Sequence, residues 1–142
     1  MDIGKRIKHQ RVENALAAGS ADENTAVVDR AGFQGVKWTV CWGTISATSV
    51  SSVKVQEGAA SDGSDMADIT GATSTAVTPS TDDNKITIVD LYRKTTKRYV
   101  RLVIKRATAN AVVDSVVAEL YEPAAEPVTQ DTTVDELVTL VG

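Results

Sequence analysis

Through the middle of the chain, about residues 25 to 122, apolar and polar side chains alternate at every second position, and this period predicts strands. In "VKWTVCW" Val36, Trp38, Val40 and Trp42 share one face and Lys37, Thr39 and Cys41 the other, so a half-buried strand with both tryptophans in the core is expected. "SSVKVQEG" repeats the pattern with Val53 and Val55 inward and Lys54 and Gln56 outward. "KITIVDLY" starts with Ile86 and Ile88 in the inward phase, then places Asp90 where an apolar residue is due; a one-residue bulge would restore the phase for Leu91. "AVVDSVVAELYEP" predicts a last long strand, with Val116, Ala118 and Leu120 on one side, ended by Pro123. Between the strands lie stretches suited to turns, "GAASDGSDMAD", "TPSTDDN" and "TANA". Strands at short spacing with such punctuation predict an all-β fold, an antiparallel β-sandwich or jelly roll.

The two ends follow different patterns. Residues 1–22 form an N-terminal arm, where Ile3, Ile7, Val12 and Leu16 fall roughly on one stripe with Gly19 as a stop, so a short amphipathic helix is expected. Residues 23–122 are the sandwich core. Residues 123–142 begin as a Pro- and Ala-rich linker and end with Thr133 and Glu136 in capping-box spacing ahead of Leu137, Val138, Leu140 and Val141. Two readings of this arm stand side by side: a tail folded back on its own sandwich, or an extension reaching a partner.

Charge sharpens the contrast between the ends. Lys5, Arg6, Lys8 and Arg11 against Asp2 make the first eleven residues net +3, whereas from Glu119 onward there are six acids and no base. The ends are therefore expected to attract each other or the opposite ends of neighbouring copies. The whole chain is net −4, which argues against general nucleic-acid binding. Cys41 is the only cysteine, so no intrachain disulfide forms and a buried strand thiol is expected. The N-terminus develops no apolar signal core, and no apolar run is long enough for a membrane-spanning helix, so a soluble protein not exported by the usual route is expected.

The residues give little support for catalysis. His9 is the only histidine, which removes His-based activation of a nucleophile and multi-histidine metal sites. No G-x-S-x-G elbow or phosphate-binding Gly-rich loop occurs. Asp62, Asp65 and Asp68 resemble an oxygen-ligand calcium loop in composition, but the spacing differs from an EF-hand and the closing Glu is missing, so a solvated hairpin loop is expected. No enzyme activity, cofactor or metal is expected.

"KRYVRLVIKR" concentrates charge on a strand. Val100, Leu102 and Ile104 belong to the core face, which leaves Tyr99, Arg101, Val103 and Lys105 on the other. Either Arg101 and Lys105 pair with acids on adjacent strands, their stems covering apolar surface, or the strip meets an acidic protein surface, Tyr and Arg being favoured at interface centres. A nucleic-acid role is the poorest fit, because alternation splits the cations between faces. The candidate contact residues are therefore Tyr99, Arg101, Val103 and Lys105 on the strand, Lys5, Arg6, Ile7 and Lys8 in the N-terminal arm, and Leu137, Val138, Leu140 and Val141 in the C-terminal arm.

Two resemblances add to this. "VSSVKVQEGAASDGSDMADITG" followed by "KRYVRLVI" resembles discoidin-type, galactose-binding-like jelly rolls. The run from "VDRAGFQGVKWTVCWGTI" to "DSVVAELYEP", about 100 of the 142 residues, is similar to the capsid cement or decoration proteins of tailed bacteriophages. That resemblance implies a jelly-roll subunit made in the bacterial cytoplasm. It would sit on the outside of the icosahedral head and clamp neighbouring major capsid proteins, usually as a dimer or trimer. A carbohydrate-binding module and a tail or baseplate component of the same fold are the alternatives.

Overall fold

The computed structural model describes residues 2–142. After a 3-10 turn, Ile3–Lys5, come ten strands: β1 (Lys8–Glu13), β2 (Leu16–Gly19), β3 (Glu23–Asn24), β4 (Val28–Asp29), β5 (Phe33–Ile45), β6 (Val50–Gly58), β7 (Ala67–Thr73), β8 (Ile86–Tyr92), β9 (Tyr99–Ala107) and β10 (Ala111–Pro123). They form two antiparallel sheets, one in the order β1-β10-β5-β8 with β2 beside β10, the other in the order β3-β9-β6-β7 with β4 beside β9. The chain passes from sheet to sheet, β2 to β3, β4 to β5, β5 to β6, β7 to β8, β8 to β9 and β9 to β10, which is jelly-roll connectivity. The fold is thus an all-β sandwich of jelly-roll type.

The alternation read in the sequence sets the core. Val36, Trp38, Val40 and Trp42 of β5, Val53 and Val55 of β6, Val100, Leu102 and Ile104 of β9 and Val116, Ala118 and Leu120 of β10 are all buried between the sheets. Trp42 keeps its indole N–H satisfied by donating to Thr87 Oγ1 at 2.8 Å.

Three expectations are corrected. The N-terminal stripe is no helix: residues 8–13 and 16–19 are strands against β10, and Val12 enters the core. An isolated helix of this length is marginal in water, whereas the free edge of β10 offers the same residues backbone partners in register, Lys8 opposite Leu120 through Arg11 opposite Val117. The arm is therefore part of the first sheet.

The bulge expected in β8 is absent as well. Its pairing with β5 is unbroken from Gly35 opposite Tyr92 to Cys41 opposite Ile86. Instead the phase is reversed along the whole strand, with Leu91 buried and Thr87 and Val89 half-buried, while Ile86 and Ile88 face outward at 56% and 54% exposure. Burying Leu91 and keeping the Asp90 carboxylate in water outweigh two exposed isoleucines, because a carboxylate carried into the core would require a partner.

The capping-box spacing at residues 133–136 produces no helix either. The Thr133 hydroxyl accepts from the Arg11 amide at 2.9 Å and donates to Asp131 Oδ1 at 2.8 Å, so it is occupied by β1 and by a local turn rather than by a helix of its own.

Candidate interaction surfaces

On the outward face of β9, both cations of the basic strip already have partners within the chain. Arg101 Nε donates to Gln56 Oε1 at 2.9 Å, Gln56 donates to Asp68 at 2.7 Å, and Lys54 pairs with the same carboxylate at 2.8 Å. Lys105 pairs with Asp22, and Arg98 forks onto Asp29 with contacts of 2.9 and 2.8 Å. Tyr99, Arg101 and Lys105 are half-buried, and Val103 is buried outright, flanked in register by Asn24 and Lys54. Arg101 is thus engaged by an amide of β6 and Lys105 by a carboxylate of the connection before β3, and Val103 offers no surface to a partner.

This pairing has a pH signature. Hydrogen bonds from Lys105, from Arg98 and from Lys54 with Gln56 hold the carboxyls of Asp22, Asp29 and Asp68 below the usual range. Each folded value lies below the unfolded one, so the stabilisation is present above about pH 4, the ordinary Asp value, and is lost as pH falls through the lower folded values. Glu13 acts oppositely, since burial, together with nearby Glu23, raises its carboxyl and its protonation favours the fold. The thermal midpoint is expected to stay level down to about pH 5 and to fall below about pH 4. In an Arg98→Ala, Lys105→Ala variant the acid fall should be shallower in a pH series of thermal melts; an unchanged acid limb would contradict the assignment.

The two ends meet on one flank of the sandwich. Arg6 pairs with Glu126 at 3.3 Å, and the Val128 amide donates to the Lys5 carbonyl at 3.0 Å. Gln130 is wedged along β1: its Oε1 accepts from the His9 amide at 2.8 Å and its Nε2 donates to the Ile7 carbonyl at 2.7 Å. With Thr133 on the Arg11 amide, the tail covers the outer edge of β1 with side chains instead of a strand. Lys5 pairs with Asp2 at 3.2 Å, Ile7 is half-buried, and Lys8 opens β1 opposite Leu120. The tail therefore folds back on the N-terminal segment and is hydrogen-bonded to it through Thr133, as the opposite charges of the ends suggest.

Beyond Thr133 the tail still follows the N-terminal turn, but most of its apolar side-chain surface stays in water. Leu137, Val138, Leu140 and Val141 are exposed, Leu140 at 91% and Val141 at 83%, and Leu137 and Thr139 lie beside Gly4 next to the exposed Ile3. These residues line a cleft of about 510 Å³.

A second cleft, about 540 Å³, lies between Ile3, Arg6 and Ile7 on one side and Tyr121, Glu122 and Pro123 on the other. The Tyr121 ring occupies the space a side chain at position 35 would fill: a Cβ on Gly35 would sit 2.1 Å from it. Tyr121 stacks with Tyr92 at 6.0 Å, and the Arg93 guanidinium lies 5.0 Å from the centre of the Tyr92 ring. Both hydroxyls are engaged, Tyr121 donating to Asp90 and Tyr92 to Glu122 at 2.9 Å. Burial and the Asp90 carboxylate push the Tyr121 hydroxyl well above the ordinary tyrosine value.

The aspartates of the 58–68 stretch serve its own backbone: Asp65 accepts from the amides of Ala59 and Ala60 at 2.8 and 3.0 Å, and Asp62 from the Ser64 amide at 2.9 Å. Among the described residues no group of three His, Cys, Asp or Glu side chains is placed to hold a metal ion. Cys41 is half-buried on the outward face of β5, rather than fully buried as expected. No helix among the described residues is long and apolar enough to cross a membrane.

The structure adds residues that alternation does not single out. Arg106, on an inward position of β9, is 7% exposed and donates to the carbonyls of Ala21, Ala17 and Ala111 at 2.8, 3.0 and 3.0 Å. It ties β2 and the chain after it to the two sheets. A lone cation at the end of an apolar run, phased with Val100, Leu102 and Ile104, is the signal that marks it. No protein-family model matches the chain, and no curated protein is similar to it in sequence.

Proposed function

We propose that the protein is a structural subunit of a tailed-bacteriophage virion. It acts as a capsid cement or decoration protein, made in the host cytoplasm, that binds the outer surface of the head and clamps neighbouring major capsid proteins. The phage assignment rests on the sequence resemblance; the observation that supports a clamping role is the C-terminal end. Leu137, Val138, Leu140 and Val141 stand in water next to Ile3, on a segment the sandwich core does not need. Exposed apolar groups gathered in one place mark contact surfaces, and several modest contacts made at once strengthen one another through effective concentration. The jelly roll itself is neutral on function, since capsid and lectin domains share it.

Glycan binding has one feature in its favour, the exposed Tyr92 ring, but Tyr121 and Arg93 already lie against that ring and its hydroxyl is held by Glu122. The decisive experiment is co-sedimentation of the purified chain with heads built from the major capsid protein of the phage that carries the gene. The full chain is expected to pellet with heads and not with isolated tails. Deleting residues 137–142 should weaken binding roughly a hundredfold, as loss of a buried apolar anchor does. Equal binding by the truncated chain, or binding to tails alone, would overturn the proposal.

A further inference from the structure

A strand at the edge of a sheet leaves backbone donors and acceptors unpaired, and proteins blunt such edges by shortening, bulging or covering them. Three of the edges here are treated that way. β1 is covered by Gln130 and Thr133. β3 and β4 are two residues each. β7 has a register shift against β6 and a glycine, Gly71, at φ +79°.

β8 is different. It runs seven residues in unbroken register, with no proline, glycine or bulge. Trp42 donates to the Lys85 carbonyl and Arg93 to the Gln34 carbonyl, so the odd-numbered residues bond to β5. By the alternation of an antiparallel ladder, the N–H and C=O groups of Ile86, Ile88, Asp90 and Tyr92 point to the free side. The side chains of Ile86, Ile88 and Tyr92 are exposed beside them.

We propose that β8 pairs antiparallel with β8 of a second copy, centred on Ile88, so that two sandwiches share one continuous sheet. The charges at the ends of the strand select both the occupant and the register. The turn before β8 carries Asp82 and Asp83, and the turn after it carries Arg93 and Lys94, so the edge is acidic at one end, basic at the other and complementary to itself when reversed. Two-fold registers that match the free backbone groups centre on Thr87, Ile88 or Val89. Centring on Val89 sets Lys85 against Arg93, two like charges, and centring on Thr87 sets Asp90 against the Asn84 turn. Centring on Ile88 sets Asp83 against Arg93, Asp82 against Lys94 and Ile88 against its own copy.

Some of these groups have partners already: Lys85 lies 3.5 Å from Asp82, Ile45 and Ser80 donate to Asp83, and Glu122 meets Arg93 at 3.2 Å. Lys94 makes no ion pair within its own chain among the described residues. This interface gives a partner surface to the assembly reading above, yet it is measured on free protein, so its failure would leave head binding untouched.

The test is sedimentation equilibrium of the full chain over a range of concentrations, where a monomer–dimer equilibrium is expected. Ile88→Pro removes an N–H that β5 does not use, a change edge strands tolerate, and should weaken the dimer roughly a hundredfold through lost pairing bonds on both copies. Asp82→Lys or Lys94→Asp alone should weaken it, and the two together should restore it. Far-UV circular dichroism checks the fold of each variant, and the charge exchange decides the matter should Ile88→Pro unfold. A monomer at every concentration, a trimer, or a dimer indifferent to a folded Ile88→Pro variant and to the charge exchange would overturn the proposal.

Discussion

Replacing Arg106 by methionine is expected to lower the free energy of unfolding by about 3 kcal/mol or more, the largest effect of any single polar substitution considered for this fold. Methionine keeps much of the stem volume, so the change isolates the donors. Without the guanidinium the carbonyls of Ala17, Ala21 and Ala111 lose their partner, and a buried acceptor left unmatched costs roughly 1–3 kcal/mol. Ala17 and Ala21 lie on an exposed stretch and regain water once β2 loosens; Ala111 is fully buried. The outcome should therefore be loss of β2 docking together with lower global stability. Urea titration reads the stability, and amide exchange at residues 16–19 reads the docking. Arg106→Lys keeps a charge but not the planar fork and should fall between the two. A loss under about 1 kcal/mol for the methionine variant would mean that the clamp is dispensable.

The second large effect is expected at the covered edge of β1. Changing Gln130 to Ala and Thr133 to Val together removes the acceptors of the His9 and Arg11 amides and the donor to the Ile7 carbonyl. Each such bond contributes about 0.5–1.5 kcal/mol net, so local opening should become easier by ~1.4–2.8 kcal/mol, a roughly tenfold to hundredfold faster exchange of those two amides. Residues in the core of β5 and β10 should be unaffected. The uncovered edge should also promote association of the variant at high concentration. Unchanged exchange at His9 and Arg11 would show that the tail does not protect β1.

How much of this was legible beforehand depended on whether one residue's environment or a partner strand made the decision. β5, β6, β9 and β10 read correctly because alternating valines, isoleucines, leucines and tryptophans leave a single face to bury, and a one-residue slip would expose all of it. β8 departs from its sequence pattern because Ile86 and Ile88 are apolar on the wrong phase; the deciding residue is Leu91, paired in register with Val36, and only the neighbouring strand reveals that. The N-terminal arm departs from its pattern for a related reason: its stripe suits a helix, but the vacant side of β10 makes the extended form the better bonded one. The partnered β9 face is half legible. Pairing of Arg101 and Lys105 with acids on adjacent strands is one of two readings; register gives Arg101 the Gln56 amide instead, and Lys105 takes the Asp22 carboxylate of the connection before β3, a contact 83 residues apart in sequence.

The exposed ends and the open β8 edge have a common physical origin. A jelly roll of this size closes its core with the inward residues of the two sheets, leaving the outward side chains Ile86, Ile88 and Tyr92 of β8 and the last residues of the tail exposed. What remains apolar there is available to other proteins. The proposed capsid role is tested most directly by cryo-electron microscopy of the mature heads of the phage to which that proposal assigns the chain. It predicts density for a two-sheet sandwich on the outside of the shell, with the segment from Leu137 to Val141 lying against the major capsid protein. Heads with a bare outer surface, or the same sandwich found in the tail, would contradict it.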